Sequence, residues 1–236
     1  MYYWNKDNFQ GLKDIGEKYS NISGYESFAK YCLLKEKGIK KQALKAIEEF
    51  ILLTKNKSID EQREIARELV SLSYYNTDIH QLLAHPLHQF LIKVLKDWAE
   101  TKVTDVVPYR WLGYMCRDLI SYEKALEINP TDEISIVELA KAELNYIDFQ
   151  THHLCETRFI GEIDDARNCL ERVSKLIDKL KPGQLKDNMF EGYNYYKKLI
   201  DSWKEYKKKQ RELSFPEWCE SKEKTFKFWG IVYYNK

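Results

Sequence analysis

Glycine and proline are scarce in this chain, which holds only 9 glycines and 5 prolines in 236 residues. Sheet-rich folds need many tight turns, and these two residue types supply most of them. Their scarcity therefore favours long helices. The 44% hydrophobic and 32% charged residues are typical of an ordinary globular protein rather than a disordered one. The length allows one large domain or two small ones.

Long apolar runs and targeting signals are also missing. Apolar runs are short, as at Ile51–Leu53, whereas a membrane-spanning helix needs about eighteen such residues. The N-terminal residues lack the apolar middle and cleavage site of a signal peptide. Five cysteines, an odd number without a C-x-x-C pair, favour reduced thiols over a disulfide framework. We therefore expect a soluble, cytoplasmic protein that does not contact a membrane.

Charge and enzyme motifs exclude further classes. The formal net charge is +1, so no overall field attracts nucleic acid or an anionic membrane. The sequence contains no phosphate-binding loop, no dinucleotide-binding glycine motif, no nucleophile elbow and no set of kinase motifs. It therefore predicts no cofactor and no catalytic residue, and it leaves enzyme activity open but disfavoured.

Apolar residues recur at helical spacing along almost the whole chain. In a helix predicted near 39–55, for example, Leu44, Ile47 and Ile51 fall on one stripe. No segment has the pattern of a paired strand. The sequence predicts an all-α fold of roughly nine or ten helices.

Start and stop signals divide this pattern into separate helices. Ser58 and Glu61 have the spacing of a capping box, in which each satisfies a backbone N–H of the other. Pro86 suits the first turn of a helix, where its missing N–H costs nothing. A single helix is predicted over 109–128, and Thr131 is predicted to cap the next one.

One segment has a recognisable repeat pattern. With Pro130 at the closing proline of a tetratricopeptide repeat, Ala125, Tyr122 and Tyr109 fall on that family's small, bulky and aromatic positions. Asp118 departs from the pattern, since a small residue belongs there. The chain over about 109–180 thus resembles tetratricopeptide-repeat proteins, and part of it is similar to uncharacterised bacterial proteins.

The resemblance implies antiparallel helix pairs, stacked as an α-solenoid or an irregular helical array, with a concave face for a peptide. Three regions follow along the chain. Residues 1–102 form an N-terminal helical region and 103–183 the tetratricopeptide-like hairpins. Residues 184–236 form a long helix and a tail that pack on the same domain.

A first candidate site combines arginine and tyrosine. Arg110, Tyr114 and Arg117 are spaced i, i+4 and i+7, which places them on one face of the predicted helix. Two guanidinium groups on one face can clamp a partner's carboxylate bidentately. The alternative is a structural role, with the arginines paired to nearby acids.

A second candidate site has the residue types of a metal centre. His152, His153 and Cys155 offer imidazole and thiolate, which zinc accepts. No second ligand pair follows at the usual spacing, and adjacent histidines on a helix point apart. The alternative is a loop between two helices with a capping role.

A third candidate site is basic. Lys204, Lys207, Lys208 and Arg211 share one face of a helix predicted over 188–213. Such a face, with tryptophan and tyrosine nearby, can hold a phosphate backbone weakly. The alternative is a solvated helix surface.

The sequence favours a non-catalytic module that binds a protein or peptide between stacked helices. The helix-pair pattern supports it, as do 17 tyrosines and 6 tryptophans, which supply stiff contact area at interfaces. One alternative is a metal-dependent or other enzyme that uses His152, His153 and Cys155. The other is weak nucleic-acid binding through 204–211.

Overall fold

The prediction of an all-helical fold is confirmed. The computed structural model describes residues 6–79, 82–208 and 212–228. Within these ranges the chain forms eleven α-helices and one short 3-10 turn, and no strand. Neighbouring helices pack against each other. The chain divides into two compact units, Met1–Ile128 and Asn129–Lys236.

The first unit contains seven α-helices in its described residues, 6–79 and 82–128. They are α1 (Lys6–Tyr19), α2 (Glu26–Glu36), α3 (Lys40–Lys55), α4 (Ile59–Tyr75), α5 (His85–Thr101), α6 (Val106–Cys116) and α7 (Leu119–Ile128). Helices α1 to α3 pack in sequence order, and so do α4 to α7. Helix α3 also packs on α5, which places two helices that are not consecutive side by side. Aromatic rings at the centre of the first helices are fully buried, including Phe28 and Phe50.

In the second unit, the part of the chain that the structure describes forms four α-helices. They are α8 (Glu133–Thr151), α9 (Ile163–Asp178), α10 (Gln184–Lys208) and α11 (Phe215–Ser221), with the 3-10 turn Leu154–Glu156 after α8. Helices α8, α9 and α10 pack mutually around Ile147, Val173 and Ile200. Helix α11 packs on α10 and on the 3-10 turn through a cluster rich in aromatic rings.

Several helix starts follow the predicted local chemistry. The Ser58 hydroxyl accepts a hydrogen bond from the Glu61 backbone N–H at 3.3 Å, and the Glu61 carboxylate accepts one from the Ser58 N–H at 3.0 Å. The capping box is therefore confirmed. The Ser58 hydroxyl also donates to the Glu61 carboxylate at 2.6 Å, and this bond, together with the one from the Ser58 N–H, holds the pKa of Glu61 below its ordinary value. Pro86 lies in the first turn of α5, as predicted.

The single helix predicted over 109–128 is wrong, because the structure has two helices there. Helix α6 ends at Cys116, and Arg117 takes the left-handed conformation with φ of 53°. The Asp118 carboxylate then accepts a hydrogen bond from the Ile120 N–H at 3.1 Å and one from the Ser121 hydroxyl at 2.6 Å. These bonds satisfy first-turn donors of α7, so a new helix starts where the sequence pattern continues without interruption.

Two smaller expectations also fail. Asp132, not Thr131, caps α8, since its carboxylate accepts a hydrogen bond from the Ser135 N–H at 3.1 Å. Leu44 is 44% exposed although Ile47 beside it is fully buried. The predicted buried stripe of α3 is therefore shifted around the helix.

Within the described residues, no helix has the length and hydropathy to cross a membrane.

Candidate partner-binding groove

An open groove runs between α3 and α5 in the first unit. Its cavity volume is about 680 Å³. Ile51 from α3 and Phe90 and Val94 from α5 form an apolar floor, each only 8% exposed. Leu52 stands at the edge with 62% of its surface exposed. The groove thus offers apolar surface to an occupant rather than a closed interior.

The sequence of α3 explains why apolar surface remains outside. Four consecutive apolar residues, Phe50 to Leu53, cover more than one full turn at about 100° per residue. The core of the unit can cover only part of the helix circumference. Phe50 and Ile51 are buried in it, whereas Leu52 and Leu53 stay 62% and 49% exposed.

Charged side chains of both signs flank the apolar floor. Glu48 and Lys55 come from α3, and Lys93 and Asp97 come from α5. The Lys55 ammonium lies 6.0 Å from the centre of the Phe90 ring, at cation–π distance.

Gln62, which also lines the groove, is held in place by the backbone. Its side-chain amide donates to the carbonyl of Lys57 at 2.9 Å and to that of Lys55 at 3.4 Å. These carbonyls belong to the last turn of α3 and the loop after it, so Gln62 ties the C-terminal end of α3 to the start of α4.

The predicted arginine–tyrosine site is not assembled as one helix face. Arg110 and Tyr114 lie on α6, whereas Arg117 lies beyond its end in the left-handed conformation. The Tyr114 hydroxyl is 3.2 Å from the Ser73 hydroxyl, and its ring packs edge-on against Tyr74 at 5.3 Å. The Arg110 guanidinium lies 5.7 Å from the Trp111 ring. These contacts tie Tyr114 to α4, and none of the three predicted residues lines the α3–α5 groove.

The predicted histidine–cysteine site lies in the turn after α8. His152 and His153 do not point apart, because the helix ends at Thr151 and their rings lie 4.1 Å from centre to centre. His152 Nδ1 donates to the Phe149 carbonyl at 2.6 Å, and His153 Nδ1 is 3.2 Å from the Glu156 carboxylate. The Cys155 thiol is directed to the His152 carbonyl at 3.7 Å.

Each of these three side chains is thus engaged by its local turn. Nowhere in the described ranges do three or more His, Cys, Asp or Glu side chains form a group that could hold a metal ion. The metal site stays a prediction from sequence.

The predicted basic site lies at the end of α10. Lys207 and Lys208 are exposed and Lys204 is half-buried. The Lys207 ammonium lies 5.7 Å from the ring of Trp203, which is itself buried. Arg211 lies outside the described residues.

Comparison of the chain with protein-family models, with curated proteins and with solved structures finds no match. The tetratricopeptide-like resemblance therefore stays a prediction.

Sequence reasoning missed the groove. It placed Ile51 on the apolar stripe of the helix predicted near 39–55, and the burial of Ile51 agrees with that placement. The available signal was the uninterrupted apolar run from Phe50 to Leu53, which no single helix face can bury. Which of its members face outward depends on the helices that pack against α3.

Proposed function

We propose that the protein is a non-catalytic interaction module that binds a segment of another protein in the α3–α5 groove. The observation that carries the proposal is the exposed Leu52 beside the apolar floor of Ile51, Phe90 and Val94. A groove between helices with apolar anchors is the geometry that receives the apolar face of a bound helix or peptide.

A partner in the groove would bury the exposed side chain of Leu52. Fully burying an exposed leucine contributes about 1.5–3 kcal/mol, which is more than most rim contacts at an interface supply. Phe90 and Val94 provide a preformed surface for a partner's side chain, so little ordering is needed on this side of the complex. The same features make Leu52 the residue whose replacement tests the proposal.

Two neighbouring leucines provide a matched pair of variants. Leu52 lines the groove, whereas Leu53 is 49% exposed on the same helix and does not line it. Leu52→Asp and Leu53→Asp make the same chemical change one position apart. Their effects on folding can be compared by circular dichroism and thermal unfolding, so a loss of binding can be separated from a loss of structure.

The experiment is a selection from a displayed library of random peptides on the immobilised, full-length protein. We expect peptides that bind the wild-type chain, bind Leu52→Asp at least about tenfold more weakly, and bind Leu53→Asp as they bind the wild type. Failure to enrich any peptide over an empty support, or enrichment of peptides that bind Leu52→Asp equally well, would overturn the proposal.

A further inference from the structure

The four charged residues of the groove have no ion-pair partner among the residues that the structure describes. Within the described residues, Glu48, Lys55, Lys93 and Asp97 form no salt bridge. Lys93 and Asp97 are even spaced i, i+4 on α5 and still do not pair. Lys57 and Glu61, with the same spacing beside α4, do pair at 3.6 Å. The charges of the groove are therefore available to an occupant.

The presence of both acidic and basic side chains restricts the class of molecule that can occupy the groove. A nucleic-acid backbone is uniformly anionic, so it would place phosphates against Glu48 and Asp97 as well as against the lysines. A uniformly basic segment would place its own positive charges against Lys55 and Lys93. Like charges brought together at an interface cost affinity, and complementary ones select the partner. An apolar floor flanked by charges of both signs therefore fits a segment that carries both acidic and basic side chains.

We propose that the occupant is an amphipathic segment of another protein whose apolar side chains are flanked by both acidic and basic ones. The inference rests on the proposed function of the groove. The partner's apolar side chains cover Phe90, Val94 and Leu52 and supply most of the affinity. Its acidic groups lie beside Lys55 and Lys93, and its basic groups lie beside Glu48 and Asp97.

The test uses the peptides selected on the wild-type chain. We expect their consensus to contain apolar residues flanked by both charge signs. Exposed ion pairs are weak, so Lys93→Glu should weaken binding about two- to fivefold. Replacing the peptide's acidic residues by lysine one at a time should identify one that restores binding to Lys93→Glu and weakens binding to the wild type.

Lys96 on α5 gives the matched control. It is exposed and does not line the groove, so Lys96→Glu makes the same change in net charge without touching the site. We expect it to leave binding unchanged. Equal effects of Lys93→Glu and Lys96→Glu would show that only overall charge matters and would overturn the inference.

The outcomes for the two proposals are distinct. Peptides that depend on Leu52 but lack charge, or carry one sign only, would overturn the mixed-charge occupant and leave the groove's function intact. Absence of any Leu52-dependent peptide would overturn both proposals.

Discussion

The ring of Tyr122 on α7 lies directly against Gly113 on α6. A Cβ built on residue 113 would be 2.7 Å from the ring carbons Cδ1 and Cε1 of Tyr122. The ring itself is only 4% exposed, so it has little freedom to move away. Glycine is thus required here because the neighbouring helix comes too close for any side chain, which is one of the recognised uses of this residue.

Replacing Gly113 by alanine should destabilise the protein. The added methyl group forces the buried Tyr122 ring to shift, and overpacking of this kind costs about 1–3 kcal/mol. The better helix propensity of alanine offsets up to about 1 kcal/mol of this destabilisation. We therefore expect a lower free energy of unfolding for Gly113→Ala, measured by urea denaturation followed by circular dichroism.

Gly192 on α10 provides the control for that variant. A Cβ at this position would meet Leu144 at 3.5 Å, which is an ordinary van der Waals contact. Gly192→Ala should therefore be neutral or stabilising by about 0.5–1 kcal/mol, since alanine favours the helix. If both variants behave alike, the close contact at Gly113 does not limit packing.

A bidentate ion pair joins α8 to α9. Arg172 donates from Nε and from a terminal nitrogen to the two carboxylate oxygens of Glu143, at 2.6 and 2.7 Å. Burial alone raises the pKa of Glu143. The hydrogen bonds from Arg172 and Cys169, with the arginine charge, outweigh burial, so the pKa lies below its ordinary value. The carboxylate form is thus the one that the fold favours.

The pair makes stability dependent on pH in acid. Because the pKa of Glu143 is lower in the folded chain, the stabilisation is present above the unfolded-state pKa of about 4.3 and is lost as pH falls through the folded-state value. The Arg172 side chain is 54% exposed, so solvent screening keeps the contribution to about 0.5–1 kcal/mol. Glu143→Gln should lower stability at neutral pH and weaken its acid dependence, measured by urea unfolding at several pH values.

An exposed pair on α9 serves as the comparison. Arg167 lies 3.6 Å from Asp164, and both side chains are about half exposed or more, at 49% and 87%. Arg167→Gln should change stability little at any pH. An acid dependence of Glu143→Gln indistinguishable from that of the wild type would count against the role of the Glu143–Arg172 pair.

The five cysteines should react with thiol reagents at very different rates. Cys116 is exposed and Cys155 half-buried. Burial raises the pKa of Cys32 to about 12 and of Cys219 to about 11. Burial and the hydrogen bond to Glu143 raise that of Cys169 to about 12. Because the thiolate is the reactive form, these three thiols should stay unmodified in the folded protein.

Labelling with iodoacetamide followed by peptide mass spectrometry checks this order. We expect Cys116 to be modified first, Cys155 more slowly, and the other three only after denaturation. The Cys116→Ser variant should lose the fastest phase and keep the rest. Rapid modification of Cys32 under native conditions would contradict the buried position of α2.

Local chemistry along the chain predicted the helices and many of their ends. The capping box of Ser58 and Glu61 and the first-turn Pro86 could be recognised because a cap involves residues only a few positions apart. The all-α class follows from apolar periodicity for the same reason. What the sequence by itself determined about this protein is therefore its helical class and several of its helix boundaries.

Tertiary structure alone decided the remaining features. The break at Arg117 accompanies a hairpin in which Tyr122 packs on Gly113, and the apolar periodicity of 109–128 does not show that contact. The rings of His152 and His153 lie close together, at a tilt of 43°, because α8 ends just before them. The groove exists because α3 and α5 pack side by side with Ile51 buried and Leu52 exposed. In each case the outcome depends on which neighbouring helix reaches a given face, and that contact is set by residues distant in sequence.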